Sequence, residues 1–205
     1  MSKITTENYQ EFALRTLNNN YKSIAERLGT QDNVNKLHAL LGIITEIQEL
    51  EDAINNNDLP NIKEEIGDIF WFLSLLGYSD KIEKQGEFFN SYFDYWMSYT
   101  QDLEWKGISP EHSIKRLYRI VIILLDKFKS QIIYNKYDDN ALCLGDIGIV
   151  DSIAELQYLL KYYNFNIEEV LQTNIDKLKT RFPDKFTEDK AQNRDLQKER
   201  GVLEG

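Results

Sequence analysis

Apolar residues in the first half of the chain recur at three- and four-residue intervals, the period of one helix face. Ile43, Ile47, Leu50 and Ile54 form one such stripe; Ile62, Ile66, Ile69, Leu73 and Leu76 form a second. Between them, Asn55-Asn56-Asn57-Asp58-Leu59-Pro60 interrupts the pattern with turn-forming residues. The spacing therefore predicts helices over about 33–55 and 60–76 joined by a short loop. A first helix is expected over 6–28, with Thr6 as its cap and Gly29 as its stop. Gly77 to Gly86 reads as a connection, and 87–105 as an aromatic-rich helix. Ser109-Pro110-Glu111 has the form of a helix start, serine capping and proline at the first helical position, for a helix reaching Tyr134. Two more helices are expected over about 141–163 and 167–181, the latter stopped by Pro183. Beyond Pro183 the chain turns polar and charged and reads as a short helix and a loose tail.

The pattern also repeats weakly along the chain. A shift of about 80 residues puts Leu37 on Leu117, Ile43 on Ile123, Asn55 on Asn135 and Asp58 on Asp138. With a two-residue deletion in the loop, Gly67-Asp68-Ile69 falls on Gly145-Asp146-Ile147, and Ser74 on Ser152. The implied organisation is an all-α bundle containing a duplicated helix–loop–helix unit.

Composition narrows this. Three prolines and ten glycines in 205 residues are few, which favours long helices over a many-turned β architecture. A formal net charge of −10 repels phosphate backbones and argues against a nucleic-acid polymer as partner. A free nucleotide stays compatible, because bound cations reverse the field of a carboxylate cluster. Cys143 is the single cysteine, so no intrachain disulfide or multi-cysteine metal site is expected. The N-terminus is polar, and the longest apolar run, Ile120 to Leu125, is far short of a membrane helix, so no membrane association and a cytoplasmic location are expected.

Acidic pairs flank the two apolar stripes. Glu46-Ile-Gln-Glu49 and Glu65-Ile-Gly-Asp68 each space two acids by one helical turn. At about 100° per residue, Glu46 and Glu49 lie roughly 60° and 120° to one side of their stripe, and Glu65 and Asp68 lie likewise on theirs. Glu64 points away on this count, which makes Glu65 the better ligand candidate. Antiparallel packing of the two helices brings the four carboxylates to one edge of the interface. Their mutual repulsion then asks for a cation, and oxygen-only donors suit Mg²⁺ or Mn²⁺. The plainer reading is a solvated helix flank, since acids make up about a sixth of the chain.

A family resemblance now enters. The segment from Leu37 through Glu46-Ile-Gln-Glu49-Leu50 resembles the first motif of MazG-type all-α nucleotide pyrophosphohydrolases, and Glu64-Glu65-Ile-Gly-Asp68-Ile-Phe-Trp-Phe-Leu73 resembles the second. Asn174-Ile-Asp-Lys177-Leu-Lys-Thr-Arg181-Phe-Pro183-Asp-Lys-Phe186 is similar to the C-terminal segment of that family, continued by Ala191-Gln-Asn-Arg194-Asp195 and Glu199-Arg200. The likeness covers about 36–78 and 140–203. It implies Glu46, Glu49, Glu65 and Asp68 as Mg²⁺ ligands and catalytic groups, with Mn²⁺ as a substitute. It implies Asn174, Lys177 and Arg181 as phosphate contacts, and hydrolysis of a nucleoside triphosphate to a monophosphate and pyrophosphate. The roughly 70–80 residues between the second motif and the C-terminal segment depart from simple members, and the internal repeat accounts for them. The second copy places Asp126, Lys129, Cys143 and Asp146 at the four acid positions, losing two acids. This resembles the fused arrangement of dimeric-type dUTPases in the same superfamily, so the expected bundle is of the MazG/dimeric dUTPase type. Its organisation would be one domain over 1–186, with an active half at about 30–80, a degenerate repeat at about 110–165, a phosphate-contacting helix at about 167–182, and a polar tail over 187–205. A homodimer or other homo-oligomer is expected from the same likeness.

Other residues divide between chemistry and packing. Trp71 is a candidate for stacking on a base and His38 for a phosphate contact; Phe70, Phe72 and the aromatics of 88–105 read first as core. Cys143 reads as a buried apolar residue. The Arg194-to-Arg200 segment reads either as a closure over substrate or as a solvated tail. A di-iron bundle needs Glu-x-x-His pairs, which His38 and His112 do not provide. A dUTPase- or dCTPase-like enzyme acting on di- and triphosphates stays open, as does a non-catalytic helical binding module.

Overall fold

The computed structural model describes residues 4–79, 108–137, 144–193 and 195–204. Among them are nine α-helices and no strand, the all-α class the periodicity predicts. In chain order these are α1 (Tyr9–Leu14), α2 (Tyr21–Leu28), α3 (Gln31–Asn55), α4 (Leu59–Ser79), α5 (Pro110–Tyr134), α6 (Leu144–Tyr163), α7 (Ile167–Arg181), α8 (Glu188–Gln192) and α9 (Leu196–Glu204). The expected helix over 87–105 and Cys143 fall outside the described residues. No helix in the described residues is long and apolar enough to cross a membrane.

The α3–α4 hairpin is the centre of the molecule. Every residue of the two apolar stripes is buried, Ile43 to Ile54 on α3 and Ile62 to Leu76 on α4. The turn between the helices is set by short-range chemistry. Asn57 adopts a left-handed conformation at φ 54°, which asparagine tolerates better than most residues. The Asp58 amide can then donate back to the Ala53 carbonyl at 2.9 Å and satisfy an otherwise unpaired helix end. Asp58 in turn caps α4, its carboxylate accepting from the Asn61 amide at 3.4 Å.

A second pair of long helices, α5 and α6, packs on the first, through α3 against α5 and α4 against α6. The helix pair therefore recurs, but not in the register that the aligned identities suggest. That register sets Ile43, 1% exposed, on Ile123, which is 47% exposed. The buried stripe of α5 is instead Ile114, Leu117, Val121, Leu124, Phe128 and Ile132. In the loops, Asn135 at φ 52° is the counterpart of Asn57 rather than of Asn55. Burial, not a few identities, fixes which side chains are equivalent.

Two expectations need correction. The helix predicted over 6–28 is broken between α1 and α2. There Asn18 donates from Nδ2 to the Ile133 carbonyl at 3.0 Å, and Arg27 from Nε to the Ile132 carbonyl at 2.8 Å. These groups complete carbonyls at the C-terminal end of α5 that have no partner within their own helix. The predicted loose tail is also folded: α9 lies against α7 and α4, with Glu199 only 4% exposed.

Candidate active site

The flanks of α3 and α4 that carry the acids open onto a cavity of about 280 Å³, closed on the far side by α7 and the segment after it. Glu46, Glu49 and Glu65 each offer an oxygen within 4.8 Å of the others. Asp68 lines the same cavity but stands outside this trio. Its carboxylate accepts from Asn174 Nδ2 and Lys177 Nζ. Lys177 is 1% exposed and also reaches Glu64 Oε1 at 3.1 Å. Glu64 thus faces the cavity and does not point away from it. The angular count placed only its Cβ; its longer side chain swings towards the ammonium that α7 delivers.

Glycine makes that delivery feasible. A Cβ on Gly67 would lie 3.0 Å from Cβ of Asn174, so the bare backbone of α4 lets α7 sit close enough for Asn174 and Lys177 to meet Asp68. Gly42 plays a similar part on α3, where a Cβ would overlap the Phe72 ring at 2.2 Å. Phe72 can therefore pack beside His38, ring centroids 5.4 Å apart and edge to face. Trp71 meets the same histidine at 6.0 Å and Phe72 at 4.9 Å. Trp71 and Phe72 line the cavity with His38, whereas Phe70 is buried in the core.

Electrostatics sets this site apart from an ordinary acidic surface. Burial is the main cause of a raised pKa at both Glu46 and Glu65, and the other acids add to it. Glu46 is pushed up to about 7, and Glu65 higher still. The two carboxyl groups are hydrogen-bonded to each other, which raises Glu65 further and offsets part of the rise at Glu46. Burial alone would pull the Lys177 ammonium down, but Asp68 and Glu64 outweigh it and hold it charged. Arg181 is raised chiefly by its hydrogen bonds to Glu199. Five carboxylates line the cavity against two permanent cations, Lys177 and Arg181. Such a balance repels a polyphosphate unless further positive charge enters with it.

All nine residues singled out in the sequence have a place here. Glu46, Glu49, Glu65, Asp68, His38, Trp71, Lys177 and Arg181 line the cavity, and Asn174 stands behind it on Asp68. The other lining residues are Glu64, which the angular count turned away, Phe72, which reads first as core, and Leu178, Phe182, Phe186 and Ala191, which the sequence offered only as parts of the C-terminal segment. Phe182 and Phe186, ring centroids 5.2 Å apart, form an apolar rim after α7. For Phe182 the available signal was its position next to Arg181, since the residue just past a helix end shares the surroundings of the last turn.

Residues 35–89 match the model of the MazG nucleotide pyrophosphohydrolase domain. The chain carries a MazG-like segment. The match covers α3 from Asn35 onward and all of α4, and with them all four acids, His38 and Trp71. Lys177, Arg181 and Asn174 reach this MazG-like hairpin from outside the matched segment. No curated protein and no solved structure matches the chain. The domain match supports nucleotide pyrophosphohydrolase chemistry, hydrolysis of an acid anhydride, and with it a nucleotide as substrate.

Proposed function

We propose that the protein is a Mg²⁺-dependent nucleoside triphosphate pyrophosphohydrolase, releasing a nucleoside monophosphate and pyrophosphate. The observation that carries this reading is the meeting, in one cavity, of three convergent carboxylates with two cations from a different helix. The donor set fits the metal. All candidate ligand atoms are carboxylate oxygens, and Glu65 is 7% exposed, so a hard dication would relieve the crowding of charge. Glu46, Glu49 and Glu65 would hold it, with Asp68 joining when it exchanges Lys177 for the ion, and Mn²⁺ is the natural substitute. When bound, the ion neutralises the triphosphate and raises the acidity of a nearby water.

The protein's own groups do the rest. Lys177 and Arg181 face the acids and supply positive charge for the phosphate chain. Asn174 keeps Asp68 in place. His38 and Trp71 line one wall of the cavity, where His38 can contact phosphate and Trp71, 36% exposed, can stack on a base. Water attacks the α-phosphorus, the α–β anhydride bond breaks, and pyrophosphate leaves with the electron pair. Glu46 or Glu49 takes the proton of the water. On this reading α3–α4 are the active half, α5–α6 a degenerate counterpart, α7 the phosphate-contacting helix, and the chain assembles as a homo-oligomer.

The test is a panel of canonical and modified NTPs and dNTPs, with dUDP added, in the presence of Mg²⁺ and with products separated by chromatography. Monophosphate and pyrophosphate are expected. Diphosphate and orthophosphate would place the attack at another phosphorus and sink the mechanism. Turnover of both dUDP and dUTP, or of dCTP alone, would redirect the assignment to a dUTPase- or dCTPase-like enzyme. No turnover with either Mg²⁺ or Mn²⁺ would leave a binding module.

A further inference from the structure

Arg181 is the cation nearest the end of α7, and its guanidinium is already engaged. Nε donates to Oε1 of Glu199 at 2.9 Å and Nη2 to Oε2 at 2.5 Å, a two-point fork. Neither partner is at the surface, the side chains being 16% and 5% exposed. Glu199 comes from α9, which lies against α7 and α4. The next residue, Arg200, fastens the same turn of α9 to the start of α4: its Nη1 donates to Asn61 Oδ1 at 3.0 Å, and Nη2 stands 3.8 Å from Asp58. The C-terminal helix therefore links the catalytic hairpin to the arginine that faces it.

This linkage has a chemical consequence. A free arginine side chain samples many rotamers and loses that freedom when it binds phosphate. The fork uses one edge of the guanidinium and leaves the remaining N–H donors on the planar group, already oriented. We infer that Glu199 is a positioning residue, holding Arg181 ready for the β- and γ-phosphates, so that α9 is a working part of the site. The inference rests on the proposed pyrophosphohydrolase reading and adds to it a residue outside the MazG-like segment. The competing idea is that Glu199 masks Arg181 by neutralising it, and the two predict opposite signs.

The experiment uses the full chain, Glu199→Gln, Arg181→Ala and the double variant, titrated calorimetrically with pyrophosphate and Mg²⁺. The Nε–H resonance of Arg181 is followed by NMR in the same proteins. Glu199→Asp, which keeps the charge one methylene shorter, serves if the glutamine variant does not fold. We expect the Arg181 Nε–H signal to lose its protection in Glu199→Gln. Pyrophosphate affinity should fall about tenfold, the cost of ordering one long side chain on binding. In the Arg181→Ala background the Glu199 substitution should then have no further effect on affinity, because it acts through the arginine. Unchanged or tighter binding by Glu199→Gln overturns the inference while leaving the enzymatic reading intact, as does an equal loss in the Arg181→Ala background. Absence of pyrophosphate binding in the unsubstituted protein overturns both.

Discussion

The two helix pairs have similar frames and opposite contents. The α3–α4 hairpin encloses Glu65 and half-buries Glu46 beside its apolar stripe, and α7 lies across it with a buried lysine. In α5, Asp126 and Lys129, which the aligned identities set against Glu46 and Glu49 although burial does not, are both exposed and paired with each other. The buried acid of α6, Glu155, is answered locally by Arg116 at 2.8 Å. In the second pair charge is neutralised within the pair; in the first it is left in excess and forced together. Helical spacing of acids is thus not enough for a site. A third element must cover them, so that their repulsion is expressed in low dielectric rather than dissipated in water.

The sharpest way to test this contrast is to neutralise acids in each pair. Glu49→Gln and Asp68→Asn are each expected to lower turnover by roughly a thousandfold or more without changing helical content by circular dichroism. Asp126→Asn should leave turnover within about twofold, because this exposed i, i+3 pair lies outside the cavity lining and is screened by solvent. Full activity in both site variants would remove the site from α3–α4.

Removing the covering charge should be nearly as damaging. Lys177→Met keeps the length of the side chain but strands Asp68 and Glu64, and about 3 kcal/mol of stability should be lost in chemical denaturation without metal. Added Mg²⁺ should recover part of that loss if the acids can take the ion in place of the ammonium. A melt insensitive to Mg²⁺ would show that the acids do not bind it.

Gly67→Ala tests how close α7 must come. The added methyl group presses on Asn174, but alanine also favours the helix by about 1 kcal/mol. Thermal stability should therefore move little while turnover falls about tenfold, since a displaced contact group costs rate more than stability. Unaltered turnover would mean the tight α4–α7 approach is not needed.

The gentlest probe is pH. Glu46 and Glu65 have folded-state pKa values above the ordinary 4.5. These two groups bind more protons in the folded protein than in the unfolded chain over that interval, so their contribution to stability is largest at low pH and declines as pH rises from 4.5 through about 7, the raised value of Glu46. Melting temperature without divalent cations should fall across this window, and saturating Mg²⁺ should flatten the slope because metal binding requires the acids deprotonated. The pair α5–α6 gives a smaller effect of the same sign through Glu155, whose pKa is also raised by burial. An opposite slope in the metal-free protein would mean the acids are solvated.

Much of this was legible in the sequence, because it depends on local rules. Helix period alone placed the nine stripe residues that prove buried in α3 and α4. Turn and cap chemistry located the start of α5 at Pro110 and both ends of α7 at Ile167 and Arg181. The same period put Glu46 with Glu49, and Asn174 with Lys177 and Arg181, on single faces. Tertiary packing decided the rest. Three acids converge while Asp68 is held by Lys177 and Asn174, and Glu64 turns inward, because α7 arrives over Gly67. Glu199 reaches Arg181 from 18 residues away, α2 completes the carbonyls of α5, and both depend on where the chain returns. A period of 3.6 residues fixes the direction in which a side chain leaves its own helix. Only packing against other helices fixes what it meets there, and at this site the partner sets the charge state and the candidate chemistry.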